Sequence, residues 1–220
     1  MTSRVLKLIF QIAIFKTLYV NMCYFKIKTA LRLPIIIFKK TSIKHIKRGN
    51  IKLSTRPFTA MMMIGIPSVE FFTGKTVLDI DRKLELGGKT RIGSGCYIVV
   101  GNNASLQILG DFEIKASGKL MITHKAVIGK NCLFSWDVTL MDTDWHKIYS
   151  SNNNKIINPS KPIIINDNVW IGCNTTILKG VQIAKNVIIG ANSLITKSIL
   201  EDNCIATSER ILKSGVYWTK

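Results

Sequence analysis

The sequence predicts an all-β solenoid, a fold of short strands and corners wound into stacked coils. Three observations carry that prediction. Between Ile163 and Lys197, Ile165, Ile171, Ile177, Ile183, Ile189 and Ile195 recur at a strict interval of six. Three residues after each of the first five comes Asn168, Asn174, Gly180, Asn186 or Asn192. One position further on stand Val169, Thr175, Val181, Val187 and Ser193, all small or β-branched.

An α-helix returns an apolar residue to the same face every 3.6 positions and a half-buried strand every two. Six is a multiple of two, so each beat reads as a short strand followed by a corner. Asn and Gly enter the left-handed backbone region more cheaply than other residues, which suits a chain that must turn at fixed intervals. The small residues pack beside the isoleucines in a narrow interior. Each coil buries its apolar stripe against the next, as repeat architectures do.

The beat continues upstream through Ile122, Ile128, Phe134 and Leu140, with Asn131 at the corner phase and Val138 at the small phase. Ile80, Leu86, Ile92 and Ile98 form an earlier set, with Gly95 at a corner. Val100, Leu106 and Phe112 beat in a shifted register, which places a slip or small insertion near Val99. The step from Leu140 to Ile165 is not a multiple of six, so a loop is extruded between them. The predicted organisation is a basic, apolar, mainly helical N-terminal segment over 1–50, a solenoid domain over 51–200 with the extruded loop at 142–162, and a short C-terminal tail over 201–220.

The chain has 220 residues and a formal net charge of +18. No Asp or Glu precedes Glu70, whereas Arg4, Lys7, Lys16, Lys26, Lys28, Arg32 and further cations do. That asymmetry points to an anionic partner. Cations interleaved with long aliphatics, and no nucleic-acid fingerprint, argue against nucleic acid. "VLKLIFQIAIFKTLYV" has helical periodicity, but Lys7 and Lys16 interrupt it too early for a membrane span of about 20 apolar residues. Two roles remain open for this segment: lying on an anionic membrane surface, or capping the open end of the solenoid. Five cysteines without C-x-x-C spacing read as reduced thiols. With no small-residue cleavage site after the first apolar stretch, they lead us to expect a cytoplasmic protein, which the first of the two roles would make peripheral on the inner face of the plasma membrane.

Of three histidines, His45 lies in the basic "KHIKR" and reads as a surface residue, and His124 falls within a coil. His146 occurs in "LMDTDWHKIYSS", on the loop that breaks the beat. Loops on rigid scaffolds are where catalytic groups concentrate. No set of three histidines converges for a zinc site, so no metal is expected.

These residues resemble the hexapeptide-repeat acyltransferases, whose repeat is an aliphatic residue, Gly or similar, two free positions, a small residue and one more free position. Ile171-Gly172-Cys173-Asn174-Thr175-Thr176 fits it, and the match covers roughly residues 80–200. The resemblance implies a left-handed parallel β-helix with three hexapeptides per coil, whereas parallel crossovers by themselves favour the right hand. It is strongest toward the sugar and surface-polysaccharide O-acetyltransferases, which carry one essential His on this loop ahead of a V-W-I-G motif. Val169-Trp170-Ile171-Gly172 is intact here. It therefore implies His146 as general base, acetyl-CoA as acyl donor, a saccharide acceptor and a homotrimer with active sites between subunits.

Asp144 and Asp142 are candidates to orient the imidazole, with turn formation or acceptor binding as equal alternatives; Trp145 joins Asp142 as an acceptor-binding candidate. By the same resemblance Trp170, Cys173, Ala191, Thr196, Lys197, Arg210 and Lys213 would contact acetyl-CoA. The C-terminal segment Ala206-Thr207-Ser208-Glu209-Arg210 departs from the family's G-x-P-A-[KR], which bears on Arg210 and Lys213. The rival readings are an N-acetyltransferase of an amino sugar nucleotide and a non-catalytic β-helix scaffold.

Overall fold

The structure, a computed structural model, describes residues 3–67, 74–208 and 210–219, and the side chains from Lys7 onward. Glu70, Glu209 and the Arg4 side chain lie outside them. The chain winds repeatedly through three parallel sheets in the same order. The first sheet runs from Ile35–Ile37 through Met62–Ile66, Thr90–Gly93, Phe112–Ile114, Leu133–Phe134, Trp170–Ile171 and Ile188–Ile189 to Cys204–Ala206. The second runs from Thr41–Lys44 to Thr139–Met141, Thr176–Leu178 and Leu194–Ile195. The third runs from Ile51–Leu53 to Lys125–Lys130, Ile163–Ile165 and Gln182–Ile183.

Every isoleucine of the six-residue beat points into the shaft and is buried, as are Val169, Thr175, Val181, Val187 and Ser193 beside them. In-register stacking extends each column: Ile98, Leu120, Leu140, Ile177 and Ile195 lie on successive strands of the second sheet. Each such side chain contributes about 1.5–3 kcal/mol on burial. The corners are as expected. Asn131, Asn168, Asn174, Asn186 and Asn192 have φ between 54° and 58°, and Gly95 and Gly180 have 73° and 79°. Their amides form ladders along the shaft: Asn168 donates to Asn186 Oδ1 at 2.9 Å, and Asn174 to Asn192 Oδ1 at 2.6 Å. The shifted register near Val99 is absorbed by two longer strands, Ser105–Gly110 and Lys125–Lys130, which keep Leu106, Ile108, Ala126 and Ile128 inside.

The N-terminal segment divides in two. Helices α1 (Ser3–Phe10), α2 (Ile14–Tyr24) and α3 (Ile27–Ala30) come first. The solenoid then begins at Ile35, so "LPIIIF" contributes the opening strand of the first sheet. Coil winding thus starts before residue 51, because three successive isoleucines satisfy a strand on a parallel sheet as well as a helix. At the other end, Ile211–Ser214 folds back antiparallel on Cys204–Ala206.

Candidate active site

The residues between Thr139–Met141 and Ile163–Ile165 leave the shaft as a small hairpin. Its stem is the antiparallel bridge Tyr149–Ile156, and its base closes where the Lys161 amide donates to the Asp142 carbonyl at 3.2 Å. His146 sits on its outgoing limb, exposed, and its imidazole has no hydrogen-bond partner among the described residues. The backbone around it is pinned. The His146 amide donates to the Asp144 carbonyl at 2.7 Å, and Asn158 Nδ2 donates to the His146 carbonyl at 2.8 Å. The Ile148 amide donates to Asn158 Oδ1 at 2.6 Å, so one side chain clamps both limbs.

Asp144 is tied elsewhere. Its carboxylate accepts from Asn158 Nδ2 at 2.8 Å and from the Lys179 ammonium, which also donates to the Asn158 carbonyl at 3.0 Å. The hydrogen bonds from Lys179 and then Asn158 hold this carboxyl below the usual carboxylate range. The orientation of the His146 ring by Asp144, one of the expected roles, gives way here to orientation of the loop. Lys179 and Asn158 carried no sequence signal. One lies at an outward corner position and the other is an Asn among several in the loop.

Asp142 corrects the acceptor-binding expectation. It is wholly buried, and its two oxygens accept from the Thr123 amide and hydroxyl at 2.8 and 3.0 Å and from the His124 and Lys125 amides at 2.8 Å each. Its carboxylate staples the loop base to the coil below and has no face left for a sugar. Trp145, by contrast, is 54% exposed and has a φ of 62°. For a bulky side chain that conformation costs about 1–3 kcal/mol, and it persists because its neighbours are fixed.

The residues matched to acetyl-CoA contacts form a second group. Cys173 and Ala191 stack at one corner, where the Asn192 amide donates to the Cys173 carbonyl at 2.9 Å. Gly172 permits that spacing, since a Cβ there would lie 2.6 Å from the Ala191 nitrogen. The column leads to a cleft of about 550 Å³ over the last strand of the second sheet, lined by Thr196, Lys197, Ser208 and Arg210 among others. Lys213 is exposed on the returning strand beside it. Two cations at a cleft suit phosphate oxygens. Trp170 packs on Trp218 at 5.9 Å between ring centroids and donates to Ser135 Oγ at 3.2 Å, leaving its ring partly exposed. The Cys173–Ala191 corner opens the second sheet and the His146 loop leaves from its other edge. One chain therefore does not bring His146 to the Cys173–Ala191 corner.

Comparison with known proteins agrees with this architecture. A family described as bacterial transferase hexapeptide (six repeats) matches residues 162–197. A polysialic acid O-acetyltransferase of Neisseria meningitidis is 32% identical over 139 residues, which are 53% of this chain and 65% of that protein, so the chain spans under two thirds of that relative. A galactoside O-acetyltransferase of Lactococcus lactis is 30% identical over 145 residues, 63% of this chain and 69% of that protein. The solved structure of the polysialic acid O-acetyltransferase OatWY superposes with a TM-score of 0.58 at 27% identity, covering 84% of this chain and 87% of that one.

Proposed function

Because the chain belongs to the bacterial hexapeptide-repeat transferase family, we propose that it is an acetyl-CoA-dependent O-acetyltransferase acting on a sugar hydroxyl of an acidic surface polysaccharide or its precursor. The observation that carries this reading is His146, exposed on a hairpin whose backbone Asp144, Asn158 and Lys179 lock to a rigid shaft. A neutral alcohol is a poor nucleophile, and a neutral imidazole within reach of its proton is suited to deprotonating it. Acetyl-CoA supplies the acyl group as a thioester, already activated. His146 takes the hydroxyl proton as the new C–O bond forms, and returns it to the sulfur as the C–S bond breaks. Lys197 and Arg210 are the cations we assign to the donor's phosphates.

The left hand of the shaft and a homotrimer belong to the same proposal. Exposed Trp145, Ile148, Tyr149 and Ile157 on the hairpin support a site shared with a neighbour, since so many apolar side chains on one loop suit contact with another subunit. An acidic acceptor is supported by exposed Lys147, Lys155 and Lys161 on the same hairpin and by the relative whose name gives polysialic acid.

The test is acetyl-labelled acetyl-CoA offered with acidic polysaccharides, neutral oligosaccharides and amino sugar nucleotides. Label should pass to the acidic polysaccharide in an alkali-labile ester, and His146→Ala should lower the rate by roughly two to four orders of magnitude. An alkali-stable amide on an amino sugar, or near-parental turnover in His146→Ala, overturns the reading.

A further inference from the structure

Helix α2 has two faces with different jobs. Thr17, Val20, Asn21 and Tyr24 turn inward and are buried. Two of them satisfy part of the free edge of the first strand. Asn21 Nδ2 donates to the Ile35 carbonyl at 2.7 Å, and the Ile35 amide donates to Asn21 Oδ1 at 3.1 Å. The Ile37 amide donates to Thr17 Oγ1 at 3.0 Å. The Ala13 amide donates to the Ile37 carbonyl at 2.8 Å and Ile12 bridges Phe38 antiparallel, so the open sheet edge is capped by side chains of α2 and by the backbone just before it. Capping accounts for the inward face and leaves the outward one unexplained.

The outward face is apolar. Phe15 is 88% exposed, and Ile14, Leu18, Tyr19 and Met22 beside it are exposed too. Phe10 of α1, with Ile27 and Leu31 at and just after α3, extends exposed apolar surface along the helical segment. Lys7, Lys26, Lys28 and Arg32 are exposed within the same stretch, and no acidic residue precedes Glu70 in the sequence. Among the described residues no helix is long and apolar enough to cross a membrane. A two-fold copy on this face would set these cations against one another, and the trimer contact proposed above is carried by the hairpin instead. Aromatic and aliphatic side chains interspersed with cations that make no ion pair among the described residues match the boundary between phosphate headgroups and acyl chains.

We propose that α1–α3 hold this protein on an anionic lipid surface, with the outer face of α2 inserted and the flanking cations at the headgroups. The proposal does not depend on acetyl transfer, and its test does not measure it. The full chain is sedimented with vesicles of phosphatidylcholine alone and of phosphatidylcholine mixed with phosphatidylglycerol, at low and high salt. Binding should require phosphatidylglycerol, weaken with salt and retain a salt-resistant part. Exchanging Lys7, Lys26 and Lys28 for Gln should lower the partition constant about five-fold each, roughly a hundred-fold together. The Phe15→Ser, Leu18→Ser double variant changes only exposed positions, so it should keep the parental melting temperature and lose the salt-resistant part. Equal binding to both vesicle types, or negligible binding to either, overturns the proposal. So does light scattering in which the parent, without lipid, forms an assembly that the double variant reduces.

Discussion

The coils from residue 163 to 206 and the hairpin at 142–162 are neighbours built on opposite plans. In the coils an apolar residue returns at each beat, finds its counterpart on the strands above and below, and is buried. In the hairpin Trp145, Ile148, Tyr149 and Ile157 stay exposed, and order comes from a few polar groups, chiefly Asn158, Asp144 and Lys179. The shaft distributes its stability over many equivalent contacts. The hairpin concentrates its geometry in three side chains and one buried anchor, Asp142. Rigidity of the first kind is what lets the second kind hold the proposed catalytic group, His146, in place.

The sharpest way to separate the two regions is His146→Ala. The proposed chemistry should fall by roughly two to four orders of magnitude while the melting temperature stays at the parental value, read by labelled acetyl transfer and calorimetry. Ile177→Ala should do the reverse. It empties part of a wholly buried column and should lower unfolding stability by about 2–5 kcal/mol, measured by denaturant titration. Equal effects of the two substitutions on stability would contradict the division.

Lys179→Met tests the link between shaft and hairpin. Its ammonium joins the second sheet to Asp144 and Asn158, so losing it should misplace His146 and cost roughly ten- to a hundred-fold in rate, with Lys179→Arg restoring most of it. Asp144 gives an independent reading. Its lowered folded pKa means the tie is complete above the ordinary carboxylate range and is lost as pH falls through the depressed value. In Lys179→Met the Asp144 titration followed by NMR should move upward.

The smallest expected effect lies on the shaft's first coils. His45 Nδ1 lies 2.5 Å from Asp79 Oδ1, and that contact raises the imidazole pKa above 6.5. A raised folded value places the stabilising contribution fully below about pH 6.5, and removes it as pH rises through the raised value. Melting temperatures on either side of that window should differ slightly in the parent and less in Asp79→Asn.

Most of the shaft was legible residue by residue. Its corners show the reason: Asn168, Asn174, Gly180, Asn186 and Asn192 must each reach positive φ, a local demand that few residue types meet. The loop that carries His146 was legible because it interrupts a regular pattern. The roles of Asp142 and Asp144 were not. Two carboxylates separated by one residue look alike in a sequence, yet one is drawn inward by three backbone amides and the other outward by a lysine from a later coil. The opening strand at Ile35–Ile37 was obscured for a related reason, since a short apolar run has no period of its own.

What the sequence by itself determined is therefore everything periodic: the coiled architecture, the phase of core and corner, and the break at the extruded loop. Repetition makes each of these a local property, readable wherever the beat is intact. Only the tertiary structure decided the contacts between residues far apart in the chain. Thr17 and Asn21 meet the edge of the first strand, Lys179 meets the hairpin, and Trp218 meets Trp170 and the Asn168 carbonyl. Such contacts are made by single side chains across a fold, and a polar residue's partner is set by where the backbone carries it, which no local pattern records.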